Sequence, residues 1–491
     1  MRYALKDSRL GLRNSTTRLP FRYGAATLSR CPQALLEVTI EVEGRPHRGW
    51  SGDCLPPGWF DKTPGRSYRE QVADLIGSVA IARSAFAEIA RKPIGFFDSW
   101  LEADRYSRTE GERRRFNPLL AGFGVSLVER AIMDALARAA GLGFSAAIRR
   151  DLFRIEPGKV HPELTGLRPA DWLPDRPRES VLVRHTVGLL DPLTASEIAE
   201  EARVDDGLPQ ALEESIDRCG LRGFKIKLSG ETDCDRDRLA RIAAILDRLG
   251  ERPAIVTLDG NEQFKDAWAV CSLFESLRSE PSLNRLLDRV VAIEQPLERS
   301  IALDSSHSEA IRALSAWRPV IIDESDGSSD AYPKALEVGY RGVSSKSCKG
   351  PVKSLLNAGV TWVRNDRGAR TDLIMTGEDL CSVGVVPVQS DLCLVATLGL
   401  GHVERNGHYY HPGLSYLPEA DRRAALAAHP DFYAEQGTII GPAVRDGRFE
   451  IGSLRCAGFG FAVEPSFESY TSEEDWRFES LGLDDLPGPT G

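Results

Sequence analysis

The second half of this chain predicts a closed α/β barrel, and two observations carry that prediction. From residue 180 onward, short β-rich runs alternate with amphipathic helical stretches, the pattern of a parallel sheet with crossover helices. Charged residues also recur at the C-terminal ends of successive runs. From Lys227 through Asp259, Glu294, Asp323 and Lys346 to Glu378 the gaps are 32, 35, 29, 23 and 32 residues, close to the ~30 residues of one strand–helix–strand unit. Roughly eight such units fit a barrel, whose usual size is about 250 residues. A doubly wound open sheet is the alternative, but no GxGxxG follows its first strand.

The elements read in order. "ALLEVTIEVEG" alternates Val38, Ile40 and Val42 with Glu37, Thr39, Glu41 and Glu43, as a half-buried antiparallel strand does. "GRPHRG" reads as a turn, and "WSGDCLPPGWFDKTPG" as a long loop of the kind more often functional than connective. Helices are expected over 71–90 and 120–140, the second with Val125, Val128, Ile132 and Leu136 near one stripe. The Pro-, Arg- and Asp-rich stretch 157–179 reads as a linker. Strands then follow at "SVLVRHTV", "GFKIKL", "AIVTLD", "RVVAIE", "PVIID", "GVSSK" and "DLIMTGE", separated by helical stretches. One of these helices carries Leu239, Ile242, Ala243, Leu246 and Leu249 on one side and stops at Gly250. "GLGHVERNGHYYHPGL" reads as a loop whose His402, His408 and His411 are solvated. Tyr409 and Tyr410 are candidate pocket walls, His185 is a core residue, and the acidic end "SEEDWRFESLGLDDLPGPTG" reads as a surface tail.

Composition narrows the function classes. The 491 residues are 42% hydrophobic and 27% charged with net charge -10, which argues against nucleic acid or an anionic membrane surface as the main partner. No run of about 18 apolar residues exists to span a membrane, and the opening lacks the apolar stretch of a signal peptide. Nine dispersed cysteines without a CxxC pair read as reduced thiols. A cytoplasmic location is the expectation.

The run "RGFKIKLSG" poses the central chemical question. A strand alternates its faces, so Phe224, Ile226 and Leu228 point one way and Lys225 and Lys227 the other. In a barrel the apolar face packs on the outer helices and the lysines point to the axis. Unpaired buried lysines are costly, and carboxylates from the next three strands, Asp259, Glu294 and Asp323, offset them. Those carboxylates repel one another unless a hard divalent cation such as Mg²⁺, which prefers oxygen ligands, lies between them.

The ordered set "FKIKL", "TLDGNEQF", "AIEQPL", "IIDES" and "GVSSKSCKG" resembles the motif series of the enolase superfamily, and more narrowly its muconate lactonizing enzyme subgroup. The resemblance covers 181–401 and extends more weakly to "SLVERAIMDALARAAG". It implies a modified TIM barrel, (β/α)₇β, over 176–404. It also implies an α+β capping domain built from residues 1–175 and the C-terminal segment 405–491. By motif match, Asp259, Glu294 and Asp323 are implied ligands of one Mg²⁺ ion. Lys227 and Lys346 are implied acid/base groups on opposite faces of the substrate, with Lys225 assisting electrostatically. The loop 49–65 is implied to close over the site. The expected activity is abstraction of the α-proton of a small-molecule carboxylate through an enediolate, serving a racemase or epimerase, a cycloisomerase or a dehydratase, with a possible homo-oligomeric state.

Chemistry and resemblance agree. Removing a proton beside a carboxylate creates a dianion, which a metal ion on the carboxylate oxygens stabilises. A lysine base must be neutral, and a second cation two residues away lowers its pKa. The stretch "IMTGEDL" lacks the histidine used by the mandelate racemase branch. Substrate-binding candidates are Asn261 and Glu378, the latter either a substrate contact or an ion-pair partner. Lys349 competes with Lys346, which occupies the expected strand end. Two rivals remain at this stage: a Schiff-base aldolase using a barrel lysine, and a non-catalytic ligand-binding descendant.

Overall fold

The computed structural model describes residues 1–24, 26–249, 254–367 and 372–483. An N-terminal antiparallel sheet is built from β1 (Arg2–Tyr23), β2 (Ala26–Val42) and β3 (Arg45–Cys54), with the two-residue β4 (Ile94–Gly95) paired to the start of β1. The alternation around Val38 does form a strand, but β3 takes residues that were expected to be a turn and the first part of a loop. Gly49 permits this. A Cβ there would stand 2.3 Å from the Ala131 carbonyl oxygen, so only glycine lets β3 lie directly on the helix behind it. β1 was not expected at all, because exposed Lys6, Asp7 and Arg9 dilute its apolar face.

Four helices follow: α1 (Tyr68–Ile89), α2 (Phe96–Arg113), α3 (Pro118–Ala139) and α4 (Phe144–Arg149). Ser67 and Glu70 close a capping box at the start of α1. Asn117 caps α3 and Pro118 fixes its first turn. α3 is buried along nearly its whole length, Val125, Val128, Ile132 and Leu136 included. The expected linker 157–179 is instead three 3₁₀ turns anchored by buried Pro157, Leu164 and Pro169.

The barrel strands are β5 (Ser180–Val187), β6 (Gly223–Lys227), β7 (Ile255–Asp259), β8 (Val290–Glu294), β9 (Val320–Ile322), β10 (Gly342–Ser345), β11 (Ile374–Gly377) and β12 (His402–Arg405). Neighbours are parallel and β12 pairs with β5, so the barrel closes. The connections carry α5 (Leu212–Cys219), α6 (Thr232–Leu246), α7 (Ala267–Arg278), α8 (Asn284–Asp288), α9 (Ser308–Trp317), α10 (Ala331–Val338), α11 (Pro351–Arg367) and α12 (Val386–Leu398). Because α8 shares a connection with α7, seven helical crossovers join eight strands. Gly250, the expected stop after α6, lies outside the described residues.

β12 corrects the loop reading of 399–414, which also contains the short helix α13 (Gly407–Tyr410). Its histidines are not solvated. His411 is buried, and His402 accepts from Arg184 Nε at 3.0 Å. His408 lies 3.3 Å from His185, which is a core residue as expected. Burial pushes the His408 and His411 pKa values down to about 4.

The C-terminal segment adds α14 (Glu419–Ala428), the hairpin β13 (Tyr433–Gln436) and β14 (Ile439–Pro442), β15 (Arg448–Glu450) and β16 (Thr471–Ser472). β15 joins β5 at the barrel and β16 joins β1 at the N-terminal sheet. The acidic end is therefore not a free tail over its described part. Trp476 donates to Asn14, and Phe478 and Leu481 are buried; residues 484–491 lie outside the described residues.

Candidate active site

The polar interior of the barrel follows from strand alternation. On β6, Phe224 and Ile226 face the helices while Lys225 and Lys227 point to the axis. Adjacent strands supply the opposite charge. Lys227 Nζ donates to Asp259 Oδ2 at 2.6 Å, and Lys346 Nζ, at the end of β10, donates to Asp323 Oδ2 at 2.6 Å. Lys225 Nζ donates to Glu294 (2.8 Å), Glu378 (2.9 Å) and Glu404 (3.0 Å), with Asp259 Oδ2 also 3.0 Å away. All of these side chains are buried.

The charges set one another's protonation. Burial by itself would raise the Asp323 carboxyl, but Lys346, Lys349 and Lys225 outweigh it and hold the group well below the usual range. Burial opposes the charge on Lys346, and Asp323 outweighs that too, raising its pKa so that it is a full ammonium. Four carboxylates do the same for Lys225. Glu294 goes the other way. Burial, then Asp259 and Glu378, push its carboxyl well above the ordinary value.

Above this ring lies a pocket of about 370 Å³ lined by Lys227, Lys346, Asn261, Glu404, Asn406, Asp379 and, from the N-terminal sheet and its following loop, Phe21, Tyr23, Pro56 and Trp59. β6 and β10 are four strands apart in an eight-stranded barrel, so the two lysines approach the pocket from opposite sides. Trp59 covers Lys346, with the ammonium 4.4 Å from the ring centroid. The loop carrying Trp59 is held by Arg299, which donates to the Trp59 and Phe60 carbonyls at 2.8 and 2.9 Å while pairing with Glu262 at 2.7 Å. Lys62 of the same loop pairs with Glu262 at 2.6 Å. On the far side α3 braces the turn after Lys346. Ser126 Oγ donates to the Cys348 carbonyl at 2.8 Å, and Arg130 pairs with Asp53 at 2.5 Å.

The structure thus gathers Lys225, Lys227, Asp259, Glu294, Asp323 and Lys346 at one barrel end. Lys346 lines the pocket. Lys349 lies beneath it, bonded to the Ser344 carbonyl at 2.8 Å and Asp323 Oδ1 at 3.2 Å. Of the substrate-binding candidates, Asn261 lines the pocket with its Oδ1 unpartnered. Glu378 is an ion-pair partner of Arg184 (2.5 Å) and Lys225. Tyr409 and Tyr410 do not line this pocket; Tyr410 stacks on Phe21, which does. Sequence reasoning missed Arg184, Glu404 and Asn406. Glu404 follows Glu378 by 26 residues, a unit-length gap that Gly, His and Asn neighbours disguised.

Among the described residues, no three His, Cys, Asp or Glu side chains are gathered as they stand to hold a metal ion. The ammonium groups lie between the carboxylates instead. The donor set still suits a hard divalent cation: Asp259, Glu294 and Asp323 offer only oxygens. Glu294 Oε2, although 2.8 Å from Lys225 Nζ, has no hydrogen bond of its own. The groups lying between the carboxylates are flexible lysine side chains, not backbone.

No protein-family model matches this chain, and no curated protein matches it in sequence. Solved structures do match in fold. The muconate lactonizing enzyme from Pseudomonas fluorescens, complexed with muconolactone, aligns over 96% of this chain and 99% of its own at 17% identity and TM-score 0.56. The dipeptide epimerase from Enterococcus faecalis V583, complexed with Mg and L-Leu-L-Tyr, aligns over 94% and 100% at 12% identity and TM-score 0.58. The 2-chloromuconate cycloisomerase from Rhodococcus opacus 1CP aligns over 95% and 99% at 14% identity and TM-score 0.58. At these identities the likeness is one of fold: a barrel with a capping domain.

Proposed function

We propose that this chain is an enolase-superfamily enzyme of the muconate lactonizing enzyme subgroup, an isomerase or lyase that abstracts the α-proton of a small-molecule carboxylate with the help of Mg²⁺. One observation carries the reading. Lys227 and Lys346 open onto one pocket from opposite barrel strands, directly above a ring of buried carboxylates. The likeness in fold to a cycloisomerase and an epimerase supports it.

Asp259, Glu294 and Asp323 would hold the metal. When bound, the ion would neutralise the charge that proton removal builds on the substrate carboxylate. Lys227 takes the α-proton on one face. Lys346, kept protonated by Asp323, stands on the other face and returns a proton for epimerisation, or steadies the dianion while a β-substituent leaves, as water in a dehydration or as the lactone carboxylate in the ring-opening direction of a cycloisomerisation. Asn261 orients the substrate through its unpartnered amide oxygen. Phe21, Tyr23, Pro56 and Trp59 roof the pocket and exclude water. Lys225 is a poor Schiff-base nucleophile, since three carboxylates hold its proton.

The test is α-proton exchange in D₂O with Mg²⁺ over a panel of N-acyl amino acids, dipeptides and muconolactone-type lactones. Wild type should exchange at least one member. Lys227→Ala and Lys346→Ala should each lose about 10²-fold or more, the usual worth of a positioned acid or base. Exchange at wild-type rate in the double variant would remove both lysines from the chemistry. Trapping of substrate by borohydride without metal would replace the reading by a Schiff-base aldolase.

A further inference from the structure

The strands after the metal-ligand candidates end in two more buried carboxylates, Glu378 and Glu404, that the proposed chemistry does not use. Each is anchored by a side chain of β5. Arg184 Nη2 donates to Glu378 Oε1 at 2.5 Å. Thr186 Oγ1 donates to Glu404 Oε1 at 2.8 Å, and the Asp379 amide donates to Glu404 Oε2 at 3.1 Å. Glu378 Oε2 and Glu404 Oε2 both converge on Lys225 Nζ, at 2.9 and 3.0 Å.

Lys225 is therefore shared. An ammonium has three donors, and here they go to Glu294, Glu378 and Glu404, while Asp259 stands within 3.0 Å without a hydrogen bond from it. Two of these four carboxylates belong to the proposed metal set, and two do not. A cation cannot enter between Asp259 and Glu294 while the ammonium lies there, because like charges at such separations repel strongly in a dry interior. The lysine stem has four flexible carbons, and the two anchored carboxylates stand on the side away from Asp259.

We propose that Lys225 is a displaceable internal cation. It neutralises Asp259 and Glu294 when no metal is present and withdraws onto a berth formed by Glu378 and Glu404 when a divalent ion binds. Glu378 and Glu404 are positioning residues. They let Lys225 vacate the site while remaining charged beside Lys227. This inference rests on the metal reading above.

Mn²⁺ binding measured by electron paramagnetic resonance, on the full chain without substrate, tests it. Lys225→Gln removes the competitor and should tighten Mn²⁺ binding by about tenfold or more. Glu404→Gln weakens the berth, keeps the acceptor for Thr186, and should loosen binding by about tenfold. In Lys225→Gln/Glu404→Gln the second change should cost much less than it does alone. That non-additivity separates a berth from a carboxylate that only adds negative potential. Lys225→Gln should also unfold earlier than wild type without metal and gain more melting temperature from Mn²⁺. If Lys225→Gln does not fold, Lys225→Met takes its place in the same cycle with Glu404→Gln. Wild type that binds Mn²⁺ while Glu404→Gln binds it equally well overturns the berth and leaves the metal reading standing. Equal effects of Glu404→Gln in both backgrounds also overturn the berth. Wild type that binds no Mn²⁺ overturns both.

Discussion

Glu129 shows how far burial can move a single group. It lies on α3, fully enclosed, and accepts from the Val352 amide at 3.3 Å. Burial first, with Asp104 adding repulsion, pushes its carboxyl up from 4.5 to about 8. Between those values the folded protein keeps a proton that the unfolded chain releases. Stability should therefore fall as pH rises across that window, by roughly 1 kcal/mol per pH unit from this group. Glu129→Gln should match wild type near pH 5 and be more stable at pH 8 in urea unfolding. Parallel curves for the two proteins would show the carboxyl to be ionised in the fold. The same physics runs in reverse at Asp323, where Lys346 and Lys349 overcome burial. The lysine–carboxylate pattern was legible in sequence because strand alternation and unit spacing are both local signals. Arg184 was not, because nothing around it announces that Glu378 lies across the barrel.

Among the elements, the loop between β3 and α1 and the pair α1–α3 make separable predictions. The loop is fastened to the barrel by Arg299 and Lys62, which share Glu262. Arg299→Ala should speed tryptic cleavage at Lys62 and Arg66 while the melting temperature changes little. An unchanged cleavage rate would show that Trp59 and Phe60 hold the loop by packing. α1 and α3 touch at Gly124, where a Cβ would stand 2.1 Å from the Ser78 carbonyl oxygen. Gly124→Ala should cost about 2 kcal/mol or more in urea unfolding, the scale of overpacking in a close helix contact. β12 illustrates why an element can be missed. "HVER" is only four residues long, flanked by glycine and asparagine, and its inward Glu404 looks like a loop charge until Lys225 is placed opposite it.

At the scale of the whole molecule, the chain returns on itself. β16 adds to β1, Arg9 pairs with Glu468 at 3.1 Å, and Arg83 pairs with Glu473. The C-terminal segment thus completes the N-terminal sheet whose tip, Phe21 and Tyr23, roofs the pocket. Truncation before Phe467 should leave the barrel folded but expose β1 and β2 to limited proteolysis and lower the melting temperature. If the truncated chain resists protease as wild type does, the N-terminal sheet stands without its C-terminal strand.

The sequence by itself determined the barrel, seven of its eight strands and the lysines and carboxylates from Lys225 to Glu378 at their ends, because periodicities of two and 3.6 residues and a ~30-residue unit are written along the chain. Tertiary structure alone decided which charges meet. Whether Lys225 faces three carboxylates or one, whether Lys346 or Lys349 reaches the pocket, and whether Phe21 covers it depend on closing β12 onto β5 and laying the N-terminal sheet over the mouth. Those contacts join residues far apart in sequence: Arg18 donates to the Tyr409 carbonyl across 391 positions. Spacing along the chain holds no record of distances set by packing.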